Sequence, residues 1–241
     1  DLADIRGAVR RSFDESLVRL RRSSVTLLQL HNSITARRGD EPTSVTPADV
    51  LGPGGIADAL EELRAEGLVK HLGLTGIGQP AALEAVIRSG RFAAMQTPYH
   101  LLNPSSGRTM SGDFSETNYG NIIAACARQG MGVLAIRVLA GGALAHRPAS
   151  AHTLKTPFFP LPLYERDRRR AARLQEMLGA GRPLHHEAIR FVLNHPSIDS
   201  AIVGFGETGQ VDEAVASLDA REPPLDWEGV LAAELACDSQ V

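Results

Sequence analysis

Residues Val25–His31 read VTLLQLH. The apolar run Val25–Leu30 is too short for a helix and is bounded by polar residues, so it reads as a buried strand that ends on His31. The sequence before it has another period: Ile5, Val9, Phe13, Leu17 and Leu20 recur at helical spacing. The sequence after it repeats the alternation. GIADALEELRAEG puts Ile56, Leu60 and Leu63 on one helical face, stops at Gly67 and gives way to the strand VKHLGLT. Helix PAALEAVIRSG then leads to strand AAMQTPY, helix NIIAACARQG to strand VLAIRVL, and helix HEAIRFVLNHP to strand SAIVGF. Such alternation predicts parallel strands joined by helical crossovers, an α/β architecture.

Connection lengths narrow the choice. Helix-to-strand turns around Gly67, Gly90, Gly130 and Pro196 are short, whereas the connections Asn32–Pro53, Asn103–Thr117 and Ala140–Glu165 are long and rich in Gly, Pro, Ser and Thr. Each long connection leaves the C-terminal end of a strand, the end that carries the chemistry in parallel barrels and doubly wound sheets. No strand is followed by the GxGxxG turn that doubly wound nucleotide-binding folds commonly use, which favours a barrel. One domain over residues 1–241 is expected. The chain opens at Asp1 directly in helical sequence, so a beginning is expected to be missing.

Bulk properties exclude several classes. With 43% hydrophobic and 22% charged residues the chain has the balance of a folded globular protein. A formal charge of −3 and 5% aromatic residues give no footprint for nucleic acid, and the charge run Arg166–Arg173 reads as a solvated helix face. Only Cys126 and Cys237 are present, which argues against a disulfide framework and suits the reducing cytoplasm. No run approaches the roughly 18 apolar residues of a membrane span. HExxH, Cys/His clusters, GxSxG and the P-loop are all absent, and the adjacent His185 and His186 are expected on different helix faces, so no metal site is expected.

The strand ends then supply candidates. His31 is placed to donate a hydrogen bond to a substrate carbonyl, or to serve as a structural histidine. The next strand ends in Thr75–Gly76, the next in Gln96–Thr97–Pro98–Tyr99, the next in Arg137 and the last in Gly204–Phe205–Gly206. An amide, a hydroxyl and a planar cation beside glycines suit a flat polar ligand, while hydrogen bonding at the barrel mouth is the plainer alternative for Thr75 and Gln96. GFGETGQVDEAVAS runs from strand to helix start, where free N–H groups attract an anion or are simply capped in a tight turn. Phe158 and Phe159 either cover a substrate or pack the loop down.

These residues, in this order and spacing, resemble the aldo/keto reductase family. The resemblance runs from SLVRL through LLQLH, GLVKHLGLTG, MQTPYHLLN and GMGVLAIRVLAGGAL to AIRFVLNHPSIDSAIVGFGETGQVDEAV, nearly the whole chain. It implies a TIM-type (β/α)8 barrel, here incomplete with about five strands, the family's strands four to eight. It also implies hydride transfer between NADP or NAD and a small-molecule carbonyl or alcohol. His31 resembles the family's carbonyl-side histidine, and Gln96 the residue holding the nicotinamide carboxamide. Arg137 falls where a tyrosine often stacks on the ring. Leu139, Gly141 and Gly142 fall where backbone meets the pyrophosphate, and the stretch from Gly204 to Gln210 resembles the loop clasping the adenosine end.

Departures from the family pattern set further expectations. The usual Ser-Asn pair is Thr75–Gly76 here. The arginine that would meet a 2′-phosphate is Gly206, followed by Glu207, and a later asparagine is Ala214. A carboxylate repels a phosphate but accepts a hydrogen bond from a ribose hydroxyl, so NAD is expected to compete well with NADP. The family's acid tyrosine and its lysine and aspartate partners have no counterpart in this chain. Its tyrosines are Tyr99, Tyr119 and Tyr164 and its lysines Lys70 and Lys155; Lys155 and Tyr164 share a long loop, which leaves only an improbable replacement pair. Three function classes follow: a carbonyl reductase or alcohol dehydrogenase whose fragment is inactive alone, a non-catalytic NAD(P)-binding module, and a phosphate-binding barrel lyase or isomerase.

Overall fold

The computed structural model describes residues 3–112, 114, 116–149, 161–219 and 225–230. Its strands are β1 (Val25–Leu30), β2 (Val69–Thr75), β3 (Ala94–Pro98), β4 (Gly132–Ile136) and β5 (Ser200–Ala201), in the sheet order β1-β2-β3-β4-β5. Sequential neighbours in a parallel arrangement are what alternating strands and helical crossovers produce. The described residues fall into two compact units, one comprising residues up to Thr97 with 105–134, the other residues 98–104 with Ala135 onward.

The first unit opens with α1 (Ile5–Leu20), whose start is capped by Asp4 accepting the Gly7 N–H at 2.9 Å. β1 and β2 pair in parallel with Leu30 opposite Leu74, and β2 pairs with β3, setting Thr75 opposite Gln96. Between them, α3 (Ile56–Ala65) buries Ile56, Ala57, Ala59, Leu60 and Leu63 and stops at Gly67, whose left-handed backbone closes on Arg64 O. α4 (Pro80–Ile87) and α5 (Ile122–Arg128) follow, each with an apolar buried face. Arg91 ties this layer together by binding both Asp58 and Glu61 of α3. Cys126 is buried, and burial pushes its thiol up to about 12, so it acts as a core residue.

The second unit contains a 3-10 helix (Ala140–Ala145), α6 (Leu161–Leu178), α7 (Leu184–Leu193) and α8 (Thr208–Ala216). Tyr99 stacks on Phe191 at 5.0 Å, and Phe191 meets Trp227 edge-on at 5.8 Å.

Several expectations need correction. The strand expected to end in Arg137 stops at Ile136, and the strand expected over SAIVGF is only Ser200–Ala201, with Ile202 N adding one bond to Ala135 O. The connection from Asn32 holds a short helix, α2 (Pro47–Leu51), built on a Thr46/Asp49 capping box that the sequence scan passed over. The two ends of Ala140–Glu165, residues 140–145 and 161–165, are helical rather than loop, which moves Tyr164 onto α6, where it is fully buried; Lys155, Phe158 and Phe159 lie outside the described residues. The Arg166–Arg173 face is not all solvated, because Asp167 and Arg170 are buried and Arg170 donates to Leu102 O. His185 and His186 do not diverge either: their rings meet edge-on with centroids 4.4 Å apart. Among the described residues no helix is long and apolar enough to cross a membrane, and no cluster of His, Cys, Asp or Glu could hold a metal.

Candidate functional site

In the first unit three candidate residues stand in a row. Leu30 pairs with Leu74, so His31, one residue further, is level with Thr75, which is itself the partner of Gln96. Register partners on parallel strands face the same side of a sheet. Thr75 is 2% exposed and its Oγ1 has no hydrogen-bond partner, an uncommon state for a buried hydroxyl. Gln96 is half-buried and His31 exposed. The Gly76 N–H is spent on Gln96 O at 2.6 Å, and a Cβ at Gly76 would stand 2.8 Å from Met95 Sδ. A side chain at Gly76 would therefore need the flexible end of Met95 to shift, with Gln96 O the nearest backbone atom at 3.2 Å.

His31 also faces a cavity of about 570 Å³ between α1 and β1, lined by Phe13, Leu28, Leu30 and Asn32 among others. The connection beyond it is long but pinned. Asn32 Nδ2 donates to Thr43 O at 2.7 Å, and Ile34 bridges both Val45 and Gly78. Gly78 has φ +126°, and a Cβ there would run into Ile34 O, so glycine is required. Buried Asp49 accepts the Arg38 guanidinium and the Thr46 N–H and hydroxyl, the latter two at 2.9 Å. The Arg38 hydrogen bonds hold its carboxyl well below the usual carboxylate range.

In the second unit Arg137 follows β4 with φ +58°, and Ala140 has φ +48°, two non-glycine residues in the left-handed region. Ala140 N donates to Arg137 O at 2.7 Å and Gly142 N to Leu139 O at 2.8 Å, which folds Leu139, Gly141 and Gly142 into one tight turn. Gly141 and Gly142 have φ +68° and +108°. Gly204, Gly206 and Glu207 lead into α8: Gln210 Oε1, in the first turn of the helix, accepts the Gly206 N–H at 2.9 Å, and Glu207 is the N-cap residue with its own carboxylate unused for capping. A Cβ at Gly204 or Gly206 would meet open space or ordinary contact only.

His100 is a further polar residue of this unit, without a signal in the sequence. It is buried, its Nδ1 has no partner, and burial, with Arg137 and Arg170 adding to it, pushes its pKa down to about 3. A lone histidine after Pro98–Tyr99 carries no signal that separates it from a surface residue.

The sequence matches the family model described as Aldo/keto reductase family over residues 3–230. The chain belongs to the aldo/keto reductase family. Members are oxidoreductases that use nicotinamide cofactors. Among solved structures, the fold of this chain is similar to that of an aldo-keto reductase from Bacillus halodurans. In its apo form the TM-score is 0.66 at 19% identity over 95% of this chain and 68% of that one, and in its holo form 0.64 at 20% over 95% and 67%. It is also similar to the glycerol dehydrogenase of Gluconobacter oxydans, with a TM-score of 0.64 at 20% identity over 96% of this chain and 64% of that one. The chain thus spans about two thirds of the length of these structures. No curated protein matches it.

Proposed function

We propose that this chain is the cofactor-binding portion of an NAD(P)-dependent oxidoreductase acting on a small-molecule carbonyl or alcohol in the cytoplasm, with its five described strands corresponding to strands four to eight of the family barrel. The observation that carries the reading is the Thr75–Gln96 pair, a buried hydroxyl without a partner directly opposite an amide. Together these groups offer what a carboxamide needs, a hydrogen-bond donor and an acceptor side by side. Nicotinamide, when bound, supplies or accepts the hydride. His31 would hold the substrate oxygen, Arg137 would lie against the nicotinamide, Leu139, Gly141 and Gly142 would meet the pyrophosphate, and Gly204, Gly206, Glu207 and Gln210 the adenosine end.

The chain alone is proposed to be without turnover. Tyr99, Tyr119 and Tyr164 are all buried, the Tyr164 hydroxyl donates to Arg147 O, and Lys70 is exposed near the N-terminal end of β2, so no described tyrosine is poised as a lysine-assisted acid. Titration with NADH and NADPH, followed by nucleotide fluorescence, tests the reading. Saturable binding without carbonyl-dependent oxidation is expected. Failure to bind either nucleotide would refute it, and turnover abolished by His31→Ala would refute the inactivity.

A further inference from the structure

Tyr164 stands outside every role assigned above, yet its hydroxyl reaches the glycine turn. Its ring is fully buried on α6, and its Oη donates to the carbonyl of Arg147 at 3.0 Å. Arg147 is the residue that closes the turn, because its own N–H donates to Gly142 O at 3.1 Å. A Cβ added to Gly142 would stand 3.2 Å from the same Tyr164 Oη. One hydroxyl therefore fixes the far end of the turn through Arg147 and occupies the space beside Gly142, whose φ of +108° favours glycine.

We infer that Tyr164 is a positioning residue for dinucleotide binding: it holds the Leu139–Arg147 turn in the conformation that presents Leu139, Gly141 and Gly142 backbone to the cofactor pyrophosphate. The inference rests on the cofactor reading proposed above. A tyrosine suits the task better than a serine or a water, because a ring locked in the core carries its hydroxyl with little freedom to lose. Burial raises the hydroxyl's pKa, so it stays a donor at every physiological pH. Phenylalanine keeps the ring and removes only the donor.

The test uses ADP-ribose, which carries the pyrophosphate without the nicotinamide, with binding measured by calorimetry and the bound ligand observed by phosphorus NMR. Tyr164→Phe is expected to weaken ADP-ribose by about five- to tenfold, the loss of roughly one hydrogen bond, and to move the bound phosphorus resonances toward those of free ligand. Gly142→Ala, which strains the turn from its other side, is expected to give the same signature. Unchanged affinity and resonances in Tyr164→Phe would overturn the inference. So would weaker binding with unchanged resonances, which is the mark of a merely structural residue. If the unsubstituted chain binds no ADP-ribose, the cofactor reading itself falls and this assignment with it; if it binds and Tyr164→Phe binds equally well, only the assignment falls.

Discussion

Thr75 and Gln96 stand directly opposite each other on β2 and β3, and the threonine, though sealed from solvent, has a hydroxyl with no hydrogen-bond partner. An unsatisfied buried hydroxyl costs about 1–3 kcal/mol, and an apolar group of the same shape removes that cost. Thr75→Val should therefore stabilise the chain by about 1 kcal/mol in urea unfolding while weakening NADH by about tenfold. Opposite signs in the two measurements are the mark of a hydroxyl kept for a ligand. Lower stability with unaltered NADH binding would instead make Thr75 an ordinary core residue.

Asp49 gives the long connection after β1 its order. It pairs with Arg38 and also completes the Thr46 capping box. Arg38 is more than half exposed, which screens the pair, so Asp49→Asn is expected to cost about 1–2 kcal/mol. Because the folded-state pKa is depressed from 3.8, this contribution is present above that value and is lost as pH falls below it. Urea midpoints of the two proteins should converge as pH is lowered from 5 toward 2. A gap that stays constant over that range would show that the carboxylate charge contributes nothing.

Periodicity made the order of elements in the first unit legible, since Val25–Leu30 and Val69–Thr75 coincide with β1 and β2, but it overstated burial: β1 is not the buried strand expected, because it is an edge strand of the described sheet and only Leu30 in it is buried. It failed where tertiary pairing decides the outcome. SAIVGF has the composition of a strand, yet only Ser200–Ala201 is one, and Arg137 leaves β4 because a left-handed residue cannot continue a strand. Residue type marked His31, Thr75 and Gln96 as rim candidates, and the register puts them level. It gave no hint that a side chain at Gly76 would press on Met95, because that is a distance between strands. Tyr164 was misplaced for a related reason: a segment rich in Pro and Thr before it hides the start of α6.

His100 should act as an acid-sensitive element. Its folded-state pKa of about 3 lies below the ordinary 6.5, so between these values the unfolded chain binds a proton that the folded chain refuses. Stability is unaffected by this group above pH 6.5 and falls as pH drops below it, by at most about 1.4 kcal/mol per pH unit. His100→Gln, which cannot titrate, should flatten that part of the profile whatever its effect at neutral pH. Imidazole NMR gives an independent check, since a His100 resonance titrating near pH 6.5 in the folded protein contradicts the burial argument.

Cofactor choice is the last expectation, and the loop before α8 makes it specific. Glu207 is exposed with its carboxylate unused for capping, and it repels a 2′-phosphate while accepting a bond from a 2′-hydroxyl. NADH should therefore bind at least as tightly as NADPH. A Cβ at Gly206 meets nothing nearer than Gln210 Oε1 at 3.9 Å, and the residue is not in the left-handed region, so a long side chain is tolerated there. Gly206→Arg should leave NADH affinity within about twofold and tighten NADPH by about tenfold, the value of one charge-assisted hydrogen bond. The gain should shrink as salt is raised from 50 to 500 mM, because an exposed ion pair is screened. A marked NADPH preference in the unsubstituted chain would show that Glu207 does not face the ribose, and an arginine without effect would move the 2′ end of the cofactor away from Gly206.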